Sequence, residues 1–267
     1  MELFFRKYGT GQPVIILHGL FGISDNWVAH AKRLAKEYEV FIPDQRNHGH
    51  SPHSSTFNYY ALTEDLLGFM NQNQLTKAIL IGHSMGGKVA MNFALEYPFM
   101  VPKLVVVDIS PRAYPVSSIH QNIIAAMNSV DFDQALSRGE VEEILQAHIS
   151  NRRIRLFILK NLFRKNRNMF GWRINTAGIT INIDDISAGL NHEGAYPGPT
   201  LFVKGADSDY ITDEDEPLIF KYFPNATIET IEGASHWVHA DAPDELCRLF
   251  SSFLGKECAF EPQALGL

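Results

Sequence analysis

The sequence predicts a single α/β domain whose mostly parallel sheet is flanked by helices and interrupted by a helical insertion. Three observations point there. Short apolar runs rich in β-branched residues alternate with helical patterns, as in parallel sheets joined by crossover helices. That alternation stops between Tyr114 and Tyr196 and then resumes. The length, 267 residues, suits one large domain carrying an insertion better than two average domains. We expect a core of residues 1–113 and 197–267, and a lid of residues 114–196.

The elements follow in order. Leu3 to Tyr8 reads as an edge strand, and Val14 to Leu17 as a fully apolar one ending at His18-Gly19. A helix is expected from about Ser24 to Lys36, with Ser24 or Asp25 as its cap. Val40 to Ile42 is a strand stopped by Pro43-Asp44. Tyr59, Leu62, Leu66, Phe69 and Met70 then recur at three- or four-residue spacing, which makes one apolar helix face. The strand Ala78 to Ile81 runs into Gly82-His83-Ser84-Met85-Gly86, and a helix carrying Gly86, Gly87, Ala90 and Ala94 follows. Leu104 to Val107 is a strand ending in Asp108. The insertion reads as mostly helical. Beyond it come a strand at Leu201 to Lys204, a helix near Pro217 to Phe223, a strand near Thr227 to Ile231 and a last helix from about Pro243 to Phe253.

The chemistry starts at Gly82-His83-Ser84-Met85-Gly86. Between a strand and a helix, G-x-S-x-G makes a turn so sharp that the two backbones nearly touch. Glycines remove the clash, and the serine is forced into a strained conformation that projects its hydroxyl above the sheet. A glycine-rich turn whose serine merely caps the helix is the plainer alternative. A serine hydroxyl needs a base within hydrogen-bond reach. Triad logic places that base on a loop past the last strand. His236, five residues beyond Ile231, meets the requirement best among 11 histidines, with His239 as the alternative. The orienting acid is Asp108, at the end of the strand after the serine's, or else Asp207 or Asp209 in the loop after Lys204. The oxyanion should be held by the backbone N–H groups of Met85 and Leu20, with Phe21 as the alternative to Leu20.

With these residues in place the chain resembles α/β-hydrolase esterases, in particular the bacterial YbfF-type esterases and their mitochondrial relatives. The resemblance rests on the serine pentapeptide, His18-Gly19-Leu20-Phe21-Gly22 and His236-Trp237. It extends to Asp44-Gln45-Arg46-Asn47-His48-Gly49-His50-Ser51-Pro52, Val107-Asp108-Ile109-Ser110-Pro111 and Trp172-Arg173-Ile174-Asn175. It implies an esterase or acyl-CoA thioesterase without metal or organic cofactor, with Ser84, His236 and Asp108 as triad and Ser208 supporting the histidine. His18, Gly19, Phe21, Trp237 and Arg173 are expected to bind substrate. One departure is visible: Ser235 precedes the histidine where glycine is usual. A carbon–carbon hydrolase or lyase using the same triad, or a ligand-binding homologue without activity, are the alternatives.

Other signals weigh less. His48, His50 and His53 invite a metal reading, but a structured loop beside the active-site rim explains them better. The net charge of −7 argues against nucleic-acid binding. Yet Arg152 to Arg173 contains eight Lys or Arg and no Asp or Glu, a cationic lid face suited to an anionic substrate such as a coenzyme A thioester. No apolar run approaches the ~20 residues of a membrane span. Met1 to Gly9 is too short and too charged for a signal peptide. Cys247 and Cys258 form neither a metal spacing nor a disulfide framework, so a reducing, cytoplasmic compartment is expected. The expected partner is a small-molecule ester or thioester.

Overall fold

The computed structural model describes residues 1–116, 118–134, 137–166 and 169–255. Seven strands form one sheet in the order β1-β3-β2-β4-β5-β8-β9. These are β1 (Phe5–Tyr8), β2 (Gln12–Leu17), β3 (Tyr38–Pro43), β4 (Ile79–His83), β5 (Leu104–Val107), β8 (Thr200–Gly205) and β9 (Ala226–Ile231). All pairs are parallel except β1 with β3, which places the single antiparallel strand at the edge.

Side chains alternate across this sheet and build a core on each face. Val14 and Ile16 of β2 pack on one side with α1 (Val28–Leu34) and α11 (Pro243–Leu254). Ile15 and Leu17 face the other, toward α2 (Tyr59–Gln72) and α3 (Met85–Glu96). Burial on both faces is why the central strands read as continuous apolar runs rather than alternating ones. The Asn58 side chain caps α2 by accepting from Ala61 N at 2.9 Å.

Three expectations need correction. The first helix starts later than Ser24, because a turn of 3₁₀ helix occupies Ser24–Asn26 and the Ser24 N–H is taken by Asp44 Oδ1 at 2.6 Å. The insertion is less helical than expected. It holds α4 (Ser118–Asn128), α5 (Arg138–Gln146), α6 (Arg152–Ile158), α7 (Thr176–Ile181) and α8 (Ile183–Ser187). Between α6 and α7 the chain forms an antiparallel hairpin of β6 (Leu162–Asn166) and β7 (Met169–Trp172). Phe163 lies across Gly171 there, a cross-strand contact that a side chain at Gly171 would crowd. Cys247, buried on α11, is disulfide-bonded, against the expectation of a chain without disulfides; Cys258 lies outside the described residues. A disulfide at Cys247 removes the ground for expecting a reducing compartment.

The two chain segments that leave and re-enter the core pair with each other. Tyr114 N donates to Ser187 O and Leu190 N to Pro111 O, both at 2.8 Å. Lys88 of α3 sits beneath them, donating from Nζ to the carbonyls of Pro111 at 3.2 Å, Ala188 at 2.9 Å and Arg112. Where the segment ends, Tyr196 donates to Val101 O through its hydroxyl and to Tyr222 O through its N–H. No helix among the described residues is long and apolar enough to cross a membrane.

Candidate active site

Ser84 stands where β4 turns into α3, with φ 52° and ψ −121°. That left-handed backbone is costly for a residue with a Cβ and persists only where the surroundings over-determine it. They do so here. A Cβ on Gly82 would stand 2.3 Å from the Gly86 carbonyl oxygen, and one on Gly86 would stand 2.3 Å from that of Leu17. The strand and helix approach closely only because both positions are glycine.

The Ser84 hydroxyl lies 3.0 Å from His236 Nε2, and His236 Nδ1 lies 2.8 Å from Asp108 Oδ2. Asp108 is fully buried at the end of β5, and its own φ is 51°. Two further donors fix its carboxylate: Oδ1 accepts from Gly205 N at 2.9 Å, and Oδ2 also accepts from Ser208 Oγ at 2.5 Å. The structure thus brings Ser84, His236, Asp108 and Ser208 into one connected array. Asp207 and Asp209 lie nearby, but the carboxylate on the imidazole is that of Asp108. His239 is buried elsewhere, stacked on Trp27 at 4.7 Å.

The loop carrying His236 is fixed from two sides. His83 Nε2 donates to the His236 carbonyl oxygen at 2.8 Å. Burial pushes His83 down to about 3, so its ring is neutral and carries the single proton that bond requires. On the other side Ser235 donates to Asp241 Oδ2 from its N–H at 2.9 Å and its hydroxyl at 2.5 Å. The hydroxyl that departs from the usual glycine therefore has a partner. Tyr210 lies flat against the imidazole, with ring centroids 3.7 Å apart and planes 17° apart.

Around Gly19 to Gly22 the chain makes a tight turn closed by Gly22 N to Gly19 O at 3.0 Å, with Phe21 at φ 62°. The Phe21 N–H is engaged: it donates to His48 Nε2 at 3.1 Å, while His48 Nδ1 donates to Arg46 O at 2.9 Å. Phe21 is thereby removed as an oxyanion donor. The Leu20 N–H has no acceptor among the described residues. Met85 is the first residue of α3, where an N–H has no intrahelical carbonyl to bond. His48, pushed to about 3 by burial, is a fully used hinge of this loop rather than a free ligand.

Two connected clefts flank Ser84. One, of about 220 Å³, is lined by Tyr59, Met85, Lys88, Ile109, Arg112 and Ile186. The other, of about 200 Å³, is lined by Gly19, Phe21, Phe157, Ser235, His236 and Trp237. Leu20, Ile119, His120 and Tyr210 border both. Of the expected substrate-binding residues, Gly19, Phe21 and Trp237 thus reach the cleft, and two do not. His18 is fully buried, donating to Gly19 O at 2.9 Å and accepting from Gln45 N at 3.0 Å, so it shapes the loop from behind. Arg173 reaches the His50 ring and lies over Phe163 instead. Tyr59, His83, Lys88, His120 and Tyr210 were not singled out from the sequence.

The family model described as the alpha/beta hydrolase fold matches residues 12–243. The chain belongs to the α/β-hydrolase family. It is 42% identical over 259 residues to the sn-1-specific diacylglycerol lipase ABHD11 of Danio rerio, covering 94% of this chain and 80% of that one. It is 34% identical over 245 residues to the esterase YbfF of Escherichia coli, covering 92% and 94% respectively. Among solved structures, a marine microorganism esterase superposes with a TM-score of 0.92 at 44% identity, covering 94% of this chain and 99% of that one. The resemblance to YbfF-type esterases holds. This α/β-hydrolase is an enzyme of the ester-hydrolysing type.

Proposed function

We propose that this chain hydrolyses carboxylic esters through an acyl-enzyme on Ser84. The observation that carries the reading is the continuous path from Ser84 Oγ through the imidazole of His236 to Asp108, at 3.0 and 2.8 Å. In this mechanism Ser84 Oγ attacks the carbonyl carbon as its proton passes to His236 Nε2. Asp108 keeps the remaining ring proton on Nδ1 and stabilises the imidazolium that forms. The oxyanion is held by the Leu20 and Met85 N–H groups. His236 then gives its proton to the departing oxygen, and water repeats the steps to release the acid. Ser208 and Gly205 N–H fix the carboxylate, and the segment 114–196 serves as the lid.

The two clefts take different halves of the substrate. A leaving group must face the proton on Nε2, so the cleft lined by His236 and Trp237 receives the alcohol. The apolar cleft lined by Tyr59, Ile109 and Ile186 receives the acyl chain. Incubation with aryl esters of graded acyl length, diacylglycerol and acyl-CoA thioesters tests this. We expect hydrolysis of esters in wild type and none in Ser84→Ala; equal hydrolysis by both proteins would defeat the proposal.

A second reading, a coenzyme A thioester as substrate, is favoured by one observation. Phe157 lines the leaving-group cleft, and Arg153, on the same short helix α6, is exposed at the surface, where it meets Asp241 at 3.0 Å. Arg152 and Arg155 of the same helix lie 3.9 Å from Glu142, so Arg153, 85% exposed, is the α6 cation for which an anionic leaving group would compete with Asp241. If this holds, kcat/KM for an acyl-CoA falls with added salt more steeply than for a neutral ester. Parallel salt responses would remove it.

A further inference from the structure

We propose that Tyr210 is a positioning residue for the His236 imidazole, acting through the face of the ring. The inference rests on the reading of Ser84, His236 and Asp108 given above. Two in-plane hydrogen bonds, at Nδ1 and Nε2, fix the ends of the imidazole but leave the ring free to rock about the line that joins them. Nε2 must nevertheless aim first at Ser84 Oγ and then at the leaving group. A flat aromatic surface at 3.7 Å and 17° removes that freedom. It also presents the electron-rich face of a phenol ring to an imidazole that becomes a cation during every turnover.

Tyr210 is itself held rigidly. Its N–H donates to Ser208 Oγ at 3.3 Å, the same hydroxyl that binds Asp108. Its carbonyl accepts from the Tyr114 hydroxyl, and its ring stacks on that of Tyr114 at 5.2 Å. The Arg112 guanidinium covers Tyr114 at 3.9 Å and donates to Asp209 O at 3.0 Å. Arg112, Tyr114, Tyr210 and His236 therefore form one continuous column. It starts where the chain leaves the core and ends on the imidazole. The Tyr210 hydroxyl has no hydrogen-bond partner among the described residues, so the ring, and not the phenol oxygen, does the positioning.

The test compares Tyr210→Phe, Tyr210→Leu and Tyr210→Met with wild type and Ser84→Ala, on a short aryl ester such as p-nitrophenyl acetate. Folding of each variant is checked by thermal unfolding. Tyr210→Phe should keep kcat within about threefold. The Leu and Met variants should lose roughly tenfold or more in kcat, with KM changed much less, as expected for a face contact worth most in the cationic state. A second readout needs no substrate: the far-downfield proton resonance of His236 Nδ1–H, which should broaden in the Leu and Met variants and persist in the Phe variant. An unaltered resonance in folded Leu or Met variants, or a loss confined to KM, would show Tyr210 to be only a wall of the cleft. Collapse of both readouts in Tyr210→Phe would overturn the proposal as well. Activity surviving in Ser84→Ala would instead sink the underlying mechanism, and so the two failures are distinguishable.

Discussion

His83 Nε2 holds the backbone carbonyl of His236 at 2.8 Å, so the residue just before the nucleophile anchors the loop that carries the base. Both partners of the Ser84–His236 contact are thereby referred to the end of one strand, β4. Replacing His83 by Leu removes the donor and should lower kcat about tenfold. His83→Gln, whose amide can still donate, should recover part of the loss. Steady-state kinetics of the two variants on one ester checks this, and equal rates for Leu and wild type would show the bond to be dispensable.

Asp108 should matter far more than its acidic neighbours. Asp108→Asn leaves the shape intact but allows the wrong imidazole tautomer, and a loss on the order of 10³–10⁴ in kcat is expected. Asp207→Asn and Asp209→Asn should stay within a few-fold of wild type. The three variants assayed side by side decide which carboxylate serves the histidine.

Lys88 ties both ends of the inserted segment to α3 through three carbonyl oxygens. Lys88→Met would fill the same space but leave those carbonyls without their donor. We expect a loss of about 2 kcal/mol or more, read by denaturant unfolding. Burial lowers Lys88 to about 7, and unfolding restores it toward ~10.4. The unfolded chain therefore binds the extra proton between those values, so the titration of Lys88 makes stability rise with pH from about 7 to about 10.

Acid should destabilise the fold before the carboxylates titrate. Burial holds His30 at about 4 and His48 and His83 at about 3. A free imidazole takes its proton near ~6.5. Below that pH the unfolded chain binds protons that the folded chain refuses, so stability is full above it and is lost as pH falls toward 4 and then 3. Thermal unfolding followed from pH 7.5 to pH 5 should show a falling Tm. A flat profile over that range would contradict the burial of these rings.

Much of the site was legible because its signals are local or topological. Gly82 and Gly86 bracket Ser84 at the spacing a tight strand-to-helix turn demands, and His236 sits on the loop where the sheet order places a base. The acid was less legible. Asp108 and Asp207 both follow strand ends, and only the adjacency of β5 and β8 decides which side chain meets the imidazole. The β6–β7 hairpin escaped notice because two strands of 5 and 4 residues within a basic run carry too little period-two signal. Tyr210, Lys88 and His83 could not be read at all. What each does depends on partners that only the folded chain brings near, in the case of Lys88 and Ala188 from 100 positions away. His18 and Arg173 show the converse, since motif membership does not say which side of a loop a side chain faces.

The central claim is that Ser84 Oγ is a nucleophile activated by His236. Labelling with a fluorophosphonate, followed by mass spectrometry of the modified peptide, tests it most directly. The account predicts one adduct, on Ser84, with no labelling in Ser84→Ala and labelling slowed at least a hundredfold, as an order of magnitude, in His236→Ala. An adduct on another residue, or labelling of Ser84 that proceeds equally fast without His236, would contradict it.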